Sequence, residues 1–155
     1  MYIVILGCGR VGSTLAALMS EEGHEVVIID RNSDSFRRLK KDFKGRTVSG
    51  FGIDSEILKK AGVEKADVFV STTTGDNTSI MVAQMAKKIF KVPKVVARIY
   101  DPIRAEVYKR LGIETYCPTT FGAMIIRNTI EGKDVNVEKI GELLERGSDL
   151  SKRRA

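Results

Sequence analysis

Apolar residues fall into two rhythms along this chain. Short β-rich runs such as Ile3-Val4-Ile5-Leu6, Val26-Val27-Ile28-Ile29 and Val68-Phe69-Val70 alternate with longer stretches in which apolar positions recur every three or four residues. A run with no polar face predicts a strand covered on both sides, and the wider spacing predicts helices packed against a sheet. The pattern gives a strand over 2–6, a helix carrying Leu15, Leu18 and Met19, a second strand over 25–29, a helix over 33–43 capped by Asn32 or Ser33, and a short third strand over 46–49. Gly50 and Gly52 interrupt the chain, and a short helix over 54–61 stops at Gly62, where a left-handed cap is expected. A fourth strand follows over 66–71. A long helix then starts at Asp76 or Asn77 and ends near residue 90, before a fifth strand over 94–99. The helix over 101–111 has Pro102 in its first turn and Gly112 beyond its end, and Pro118 closes a sixth strand over 114–117. Helical patterns over 120–130 and 137–144 complete the chain.

Strands that alternate with helices imply an α/β fold. The expected form is a Rossmann-like doubly wound parallel sheet with right-handed crossovers, strand order 3-2-1-4-5-6 and extra C-terminal helices. At 155 residues the chain has room for one core and no separate substrate domain. The expected division is a nucleotide-binding unit over 1–132 and a helical extension over 133–155.

The first strand runs directly into Gly7-Cys8-Gly9-Arg10-Val11-Gly12, and a lone carboxylate, Asp30, closes the second apolar run. These are the parts of a dinucleotide-binding turn in their proper order. Gly7 permits a sharp turn, Gly9 lets a pyrophosphate approach the backbone, and Gly12 lets the helix pack close to the sheet. The first helical turn has unpaired amides and the positive end of the helix dipole, so it holds a phosphate without a side chain. Asp30 lies where it can accept hydrogen bonds from ribose hydroxyls. A 2′-phosphate would meet like charge there, which favours NAD or another adenine nucleotide over NADP, while Arg31 beside it opposes part of that exclusion. The other reading of the motif is a tight strand-to-helix turn in a fold that has lost its ligand.

Charge and composition narrow the partners. The net charge is +6, but Lys and Arg are interspersed with Asp and Glu along helical segments and the chain has no Trp. Solvated helix faces account for most of this charge, and no aromatic-interleaved basic stripe suggests nucleic acid. A weak attraction to an anionic surface or acidic partner stays open. Cys8 and Cys117 are far apart, which gives neither a metal spacing nor a disulfide framework and suits a reducing cytosol. Neither a signal peptide nor a membrane span is expected.

The remaining candidates cluster at the carboxyl ends of the strands, where open α/β sheets bind ligands. Asp54 either accepts from an adenine amino group or caps its helix. Ser71 to Gly75 supply small hydroxyl and glycine positions beside the phosphate loop, with Thr72 and Thr73 as donors to phosphate or ribose. Arg10 either swings over the phosphates or stays an exposed turn residue. Arg98 points to the cleft or into an ion pair, with the ion pair favoured. His24 reads as a loop residue. Cys8 sits at a helix start that lowers thiol pKa, although small loop cysteines are usually inert.

Taken together, the glycine loop, Asp30-Arg31, the Gly52-Ile53-Asp54 turn, Ser71-Thr72-Thr73 with Asp76-Asn77, and Val96-Ala97-Arg98 resemble the RCK N-lobe, or KTN domain, over about residues 1–132. The resemblance implies a cytoplasmic regulatory subunit of a potassium channel or a Trk or Ktr type uptake system, at the inner face of the membrane through its partner. It implies binding of NAD(H) or ATP/ADP/AMP, assembly through the late helices into a ring, and control of a membrane gate. Carried over, the ligand contacts are Gly7, Gly9, Arg10, Gly12, Asp30, Arg31, Asp54, Thr72 and Thr73. Many members continue into a smaller C-terminal lobe for which too few residues follow Lys133, so a partner chain would supply that lobe or it is dispensed with. The rival reading is a small NAD-dependent oxidoreductase whose substrate site is completed by a partner subunit, with Tyr100 and Tyr116 as the candidate acids.

Overall fold

The computed structural model describes residues 1–133. Six strands form one parallel sheet in the order β3-β2-β1-β4-β5-β6: β1 Tyr2–Leu6, β2 Glu25–Asp30, β3 Arg46–Ser49, β4 Val68–Ser71, β5 Lys94–Arg98 and β6 Glu114–Tyr116. This is the expected doubly wound topology. The order reverses between β1 and β4, and both strands leave the sheet there in adjacent register, with Leu6 opposite Ser71.

Alternation along the strands builds two cores. Val4, Leu6, Val27, Ile29, Phe69, Val95 and Ala97 face the helices α2 (Ser55–Lys60), α3 (Asp76–Gln84) and α4 (Pro102–Arg110), which contribute Leu58, Val82, Ala83 and Ala105. On the other face, Ile3, Ile5, Val26 and Ile28 meet Ala16 of α1 (Arg10–Glu21), with Phe36, Leu39 and Phe43 packed alongside. Burial on both faces explains why β1 and β2 are apolar at successive positions. On the α1 side, Val68, Val70 and Val96 are only partly covered.

Several elements differ from their expected bounds. The expected helix over 33–43 is a 3-10 segment, Ser33–Arg38, after which Leu39 turns extended at φ −68 and ψ 143. Its opening residues prefer local turn bonds to helix, and Asn32 Oδ1 accepts the Asp34 amide. Phe36, Leu39 and Phe43 then reach the sheet without a continuous helix. The helix expected to run to residue 90 changes from α to π winding at Met85–Ile89, where the Phe90 amide bonds to the Met85 carbonyl five residues back. Helix α5, Pro118–Ile130, starts two residues earlier than expected because proline is suited to the first helical position. The helix expected over 137–144 and the extension over 134–155 lie outside the described residues.

Candidate functional site

The carboxyl ends of β1, β2, β4 and β5 form one row. The Leu6–Ile29, Leu6–Ser71 and Ser71–Ala97 pairings put Asp30, Gly7, Thr72 and Arg98 next to one another across the sheet. Neighbouring strands lie about 4.8 Å apart, so the row runs about 14 Å along the backbone from Asp30 to Arg98.

Gly7 turns the chain out of β1 at φ +102, in the left-handed region, while its amide donates to the Ile29 carbonyl at 2.7 Å. A side chain on Gly12 would overlap the Gly7 carbonyl oxygen and press on Thr72 Oγ1. The start of α1 therefore rests directly on the turn. Gly9 is the opposite case, since a Cβ there would have nothing within 4 Å. The two glycines have separate jobs: Gly12 is small for the protein's own packing, and Gly9 leaves open space in front of the helix.

That space faces free amides. Gly9 caps α1 with no side-chain bond, and the first helical bond is from the Ser13 amide to the Gly9 carbonyl at 2.9 Å. The Arg10, Val11 and Gly12 amides precede that bond and point along the helix axis into the opening. With the helix dipole behind them they form an anion-binding end. Arg10 opens the helix on an exposed site with no hydrogen bond among the described residues, so its guanidinium is free to swing over the opening.

Two side chains brace the loop. Asp30 Oδ2 accepts the Cys8 amide at 2.7 Å, and its Oδ1 accepts the Asn32 amide at 2.9 Å. An ionised carboxylate has about four acceptor sites, so lone pairs remain for ribose hydroxyls. Thr72 is buried and its hydroxyl lies 2.9 Å from the Gly7 carbonyl and 3.2 Å from that of Leu6. Its hydroxyl hydrogen is thus engaged by the loop itself. Thr73 is half-buried, with its hydroxyl 3.5 Å from the Gly75 carbonyl, at the limit of a hydrogen bond. Arg31 is exposed beside Asp30.

Asp54 acts as a helix cap, accepting the Glu56 amide at 2.9 Å through Oδ1. Cys8 is fully buried, and burial together with the Asp30 carboxylate pushes its thiol up to about 11. Burial thus shifts the thiol away from the low-pKa thiolate considered from its position at the helix start.

Two residues outside the expected ligand contacts stand out. Arg98 forms no ion pair among the described residues, contrary to the favoured expectation. It is 8% exposed, its Nε has no hydrogen-bond partner among the described residues, and its guanidinium carbon lies 4.9 Å from the centre of the Tyr100 ring. A buried cation without a counterion is costly, so an anion in the adjoining crevice is its natural complement. An arginine directly after the apolar run Val95-Val96-Ala97 was the available signal. Asp76 opens α3, as expected, and its carboxylate accepts the Tyr100 amide at 2.9 Å and the Asp101 amide at 3.1 Å. Of the tyrosines weighed as acids, Tyr100 lies under Arg98, and Tyr116 packs edge-on to Phe121 with centroids 6.0 Å apart.

The TrkA-N domain model matches residues 3–118. The Trk system potassium uptake protein TrkA of Streptomyces coelicolor is 54% identical over 115 residues, covering 74% of this chain and 52% of that protein. The chain thus spans about half the length of that curated relative. In fold, the AMP-bound Kef C-terminal domain of Shewanella denitrificans superposes with TM-score 0.74 at 24% identity, over 97% of this chain and 95% of the other. The GsuK structure bound to ADP gives 0.73 at 24% identity, over 86% of this chain and 34% of its own. Both extend the likeness of the six-stranded sheet across most of the described residues. With its family model spanning β1 to the end of β6, the chain belongs to the TrkA-N family, the RCK or KTN N-lobe type of Rossmann domain.

Proposed function

We propose that this chain is the nucleotide-binding regulatory part of a potassium channel or uptake system, and that it switches the membrane gate on binding NAD(H) or ATP/ADP/AMP. The observation that carries the reading is the open, amide-lined end of α1 beside Asp30, with none of the described residues within 4 Å of a Cβ placed on Gly9. Phosphate would sit on the amides of Arg10, Val11 and Gly12, and ribose on the free lone pairs of Asp30. Arg10 and Arg98 would supply charge from either end, with Arg31, Asp54 and Thr73 at the margin and Thr72 behind the loop. The potassium-uptake relative and the AMP- and ADP-bound neighbours support both the class of ligand and the class of partner.

A regulatory role requires subunits that move. Helix α5 has no buried residue and exposes Ile126 and Ile130, while α4 exposes Ile103 and Val107. Such faces suit assembly with further copies or with a chain carrying a C-terminal lobe, in a ring at the cytoplasmic side of the transporter. Ligand binding then biases the relative orientation of subunits, by no more than the difference between its affinities for the two states. None of the described helices is long and apolar enough to cross a membrane, so gating acts through the partner.

Parallel calorimetric titration with NAD⁺, NADH, ATP, ADP, AMP and NADPH tests the reading. Saturable binding of at least one dinucleotide that lacks a 2′-phosphate, or of at least one adenosine phosphate, is expected, weakened by Asp30→Ala. Tight binding of NADPH alone would overturn the role given to Asp30. Sustained NADH turnover with small carbonyls would favour the oxidoreductase instead.

A further inference from the structure

We infer that Asp76 is the positioning residue for Arg98, holding the one loop that keeps this buried cation at the edge of the nucleotide crevice. The inference rests on the nucleotide reading above and extends it to a residue outside the phosphate loop. Asp76 opens α3, yet Gly75 provides the cap position and the Asp76 carboxylate turns sideways. Its two oxygens accept the amides of Tyr100 and Asp101, the first residues of the chain beyond Ile99 on leaving β5. Asp101 in turn caps α4, accepting the amides of Ile103 and Arg104 at 2.8 and 3.2 Å. One carboxylate therefore fixes the backbone on which the Tyr100 ring is mounted.

The ring matters because of what it covers. Arg98 has its guanidinium carbon 4.9 Å from the ring centre, an Nε with no partner among the described residues, and only 8% exposure. A guanidinium with this little compensation would move to water if its cover opened. The aromatic face supplies part of the missing stabilisation, and Asp76 keeps that face in place. The neighbouring Asn77 provides a natural control. Its Oδ1 accepts Arg104 Nη2 at 2.6 Å and ties α3 to α4 without touching the Tyr100 amide.

The test is ADP and adenosine titration of the wild type, Asp76→Ala, Arg98→Gln and the double variant. Asp76→Ala is expected to weaken ADP by about 5- to 20-fold, the size of a lost partly desolvated cation–π contact and its dependent charge. Adenosine, which has no phosphate, should change less than about twofold, and Asp76→Ala should add less than about twofold in the Arg98→Gln background. A full Asp76 effect without Arg98, or an equal loss for adenosine, overturns the inference. Tyr100→Leu gives a second route that leaves both backbone bonds intact: it should show the same phosphate-confined loss, and unchanged ADP affinity would overturn the inference even if Asp76→Ala does not fold. Asn77→Ala should stay within about twofold of wild type, and a loss as large as that of Asp76→Ala would equally overturn it. A wild type that binds none of NAD⁺, NADH, ATP, ADP and AMP refutes the nucleotide reading and this inference with it; one that binds another of them but not ADP, or that binds ADP with additive variants, refutes this inference alone.

Discussion

Replacing Thr72 with valine separates a brace from a ligand donor. The hydroxyl lies 2.9 Å from the Gly7 carbonyl, for which the described residues offer no other donor, and 3.2 Å from the Leu6 carbonyl, which also receives the Thr72 amide at 2.8 Å. Valine has nearly the same shape, so the loss is chemical. Leu6 keeps a partner, but the Gly7 carbonyl, packed under α1, is left with none. Stranding a buried acceptor costs about 1–3 kcal/mol. At about 2–4 °C per kcal/mol for a chain of this size, a cost near 2 kcal/mol lowers Tm by about 4–8 °C. Thr72→Ser retains the donor and loses one methyl, about 0.8 kcal/mol. Thermal unfolding followed by far-UV circular dichroism, without ligand, should therefore rank wild type above Thr72→Ser and Thr72→Ser above Thr72→Val. A valine variant as stable as the serine variant would refute the brace. If that variant also failed to bind ADP, the hydroxyl would be acting on the ligand directly.

Gly9→Ala should leave Tm within about 2 °C, because its φ of −78 suits any residue and its Cβ meets nothing; ADP affinity measured by calorimetry should nevertheless fall at least about tenfold as the methyl enters the phosphate space. Gly12→Ala should do the reverse first, costing about 1–3 kcal/mol in chemical denaturation because its Cβ overlaps the Gly7 carbonyl. Cys8, with its thiol raised to about 11, should resist iodoacetamide at pH 8 in the native protein while the half-buried Cys117 reacts, as read by peptide mass spectrometry. The same shift sets a direction for stability. The folded state keeps the Cys8 proton above the ordinary thiol pKa, where the unfolded chain has released it, so this group's contribution is intact below about pH 8.5 and declines as pH rises toward about 11.

What could be read from sequence follows the range of the forces involved. The sheet order was legible because double-sided burial leaves the interiors of β1 and β2 apolar at successive positions, and because Gly7, Gly9 and Gly12 each suit a local geometric need. The tight contact at Gly12 is what close packing of α1 on the turn requires, and a Cβ on Gly9 would meet none of the described residues. Segments whose form depends on distant partners were harder. Ser33–Arg38 has helix-like spacing, but turn bonds from Asn32 and the demands of packing Phe36 and Leu39 stop it after a 3-10 turn. The π winding at Met85–Ile89 has no signature in side-chain periodicity.

The site shows the same division. Asp30 was found by its spacing from the glycines, yet its grip on the Cys8 amide is a contact that spacing does not announce. Local rules make an acid at a helix start a cap. That holds for Asp54 and Asp101, whose carboxylates accept amides of their own helices, and fails for Asp76, which reaches across to another loop. Arg98 was expected to find a carboxylate because buried charges usually do. Its lack of one among the described residues is a property of the assembled fold, and it is what draws attention to the crevice.

The most direct test of the central claim is diffraction from crystals of the chain grown with ADP. The account predicts diphosphate density on the amides of Arg10, Val11 and Gly12 at hydrogen-bonding distance, with ribose hydroxyls on the Asp30 carboxylate. ADP bound elsewhere with that end of α1 empty, or the crevice filled by the chain's own side chains at saturating ADP, would contradict it.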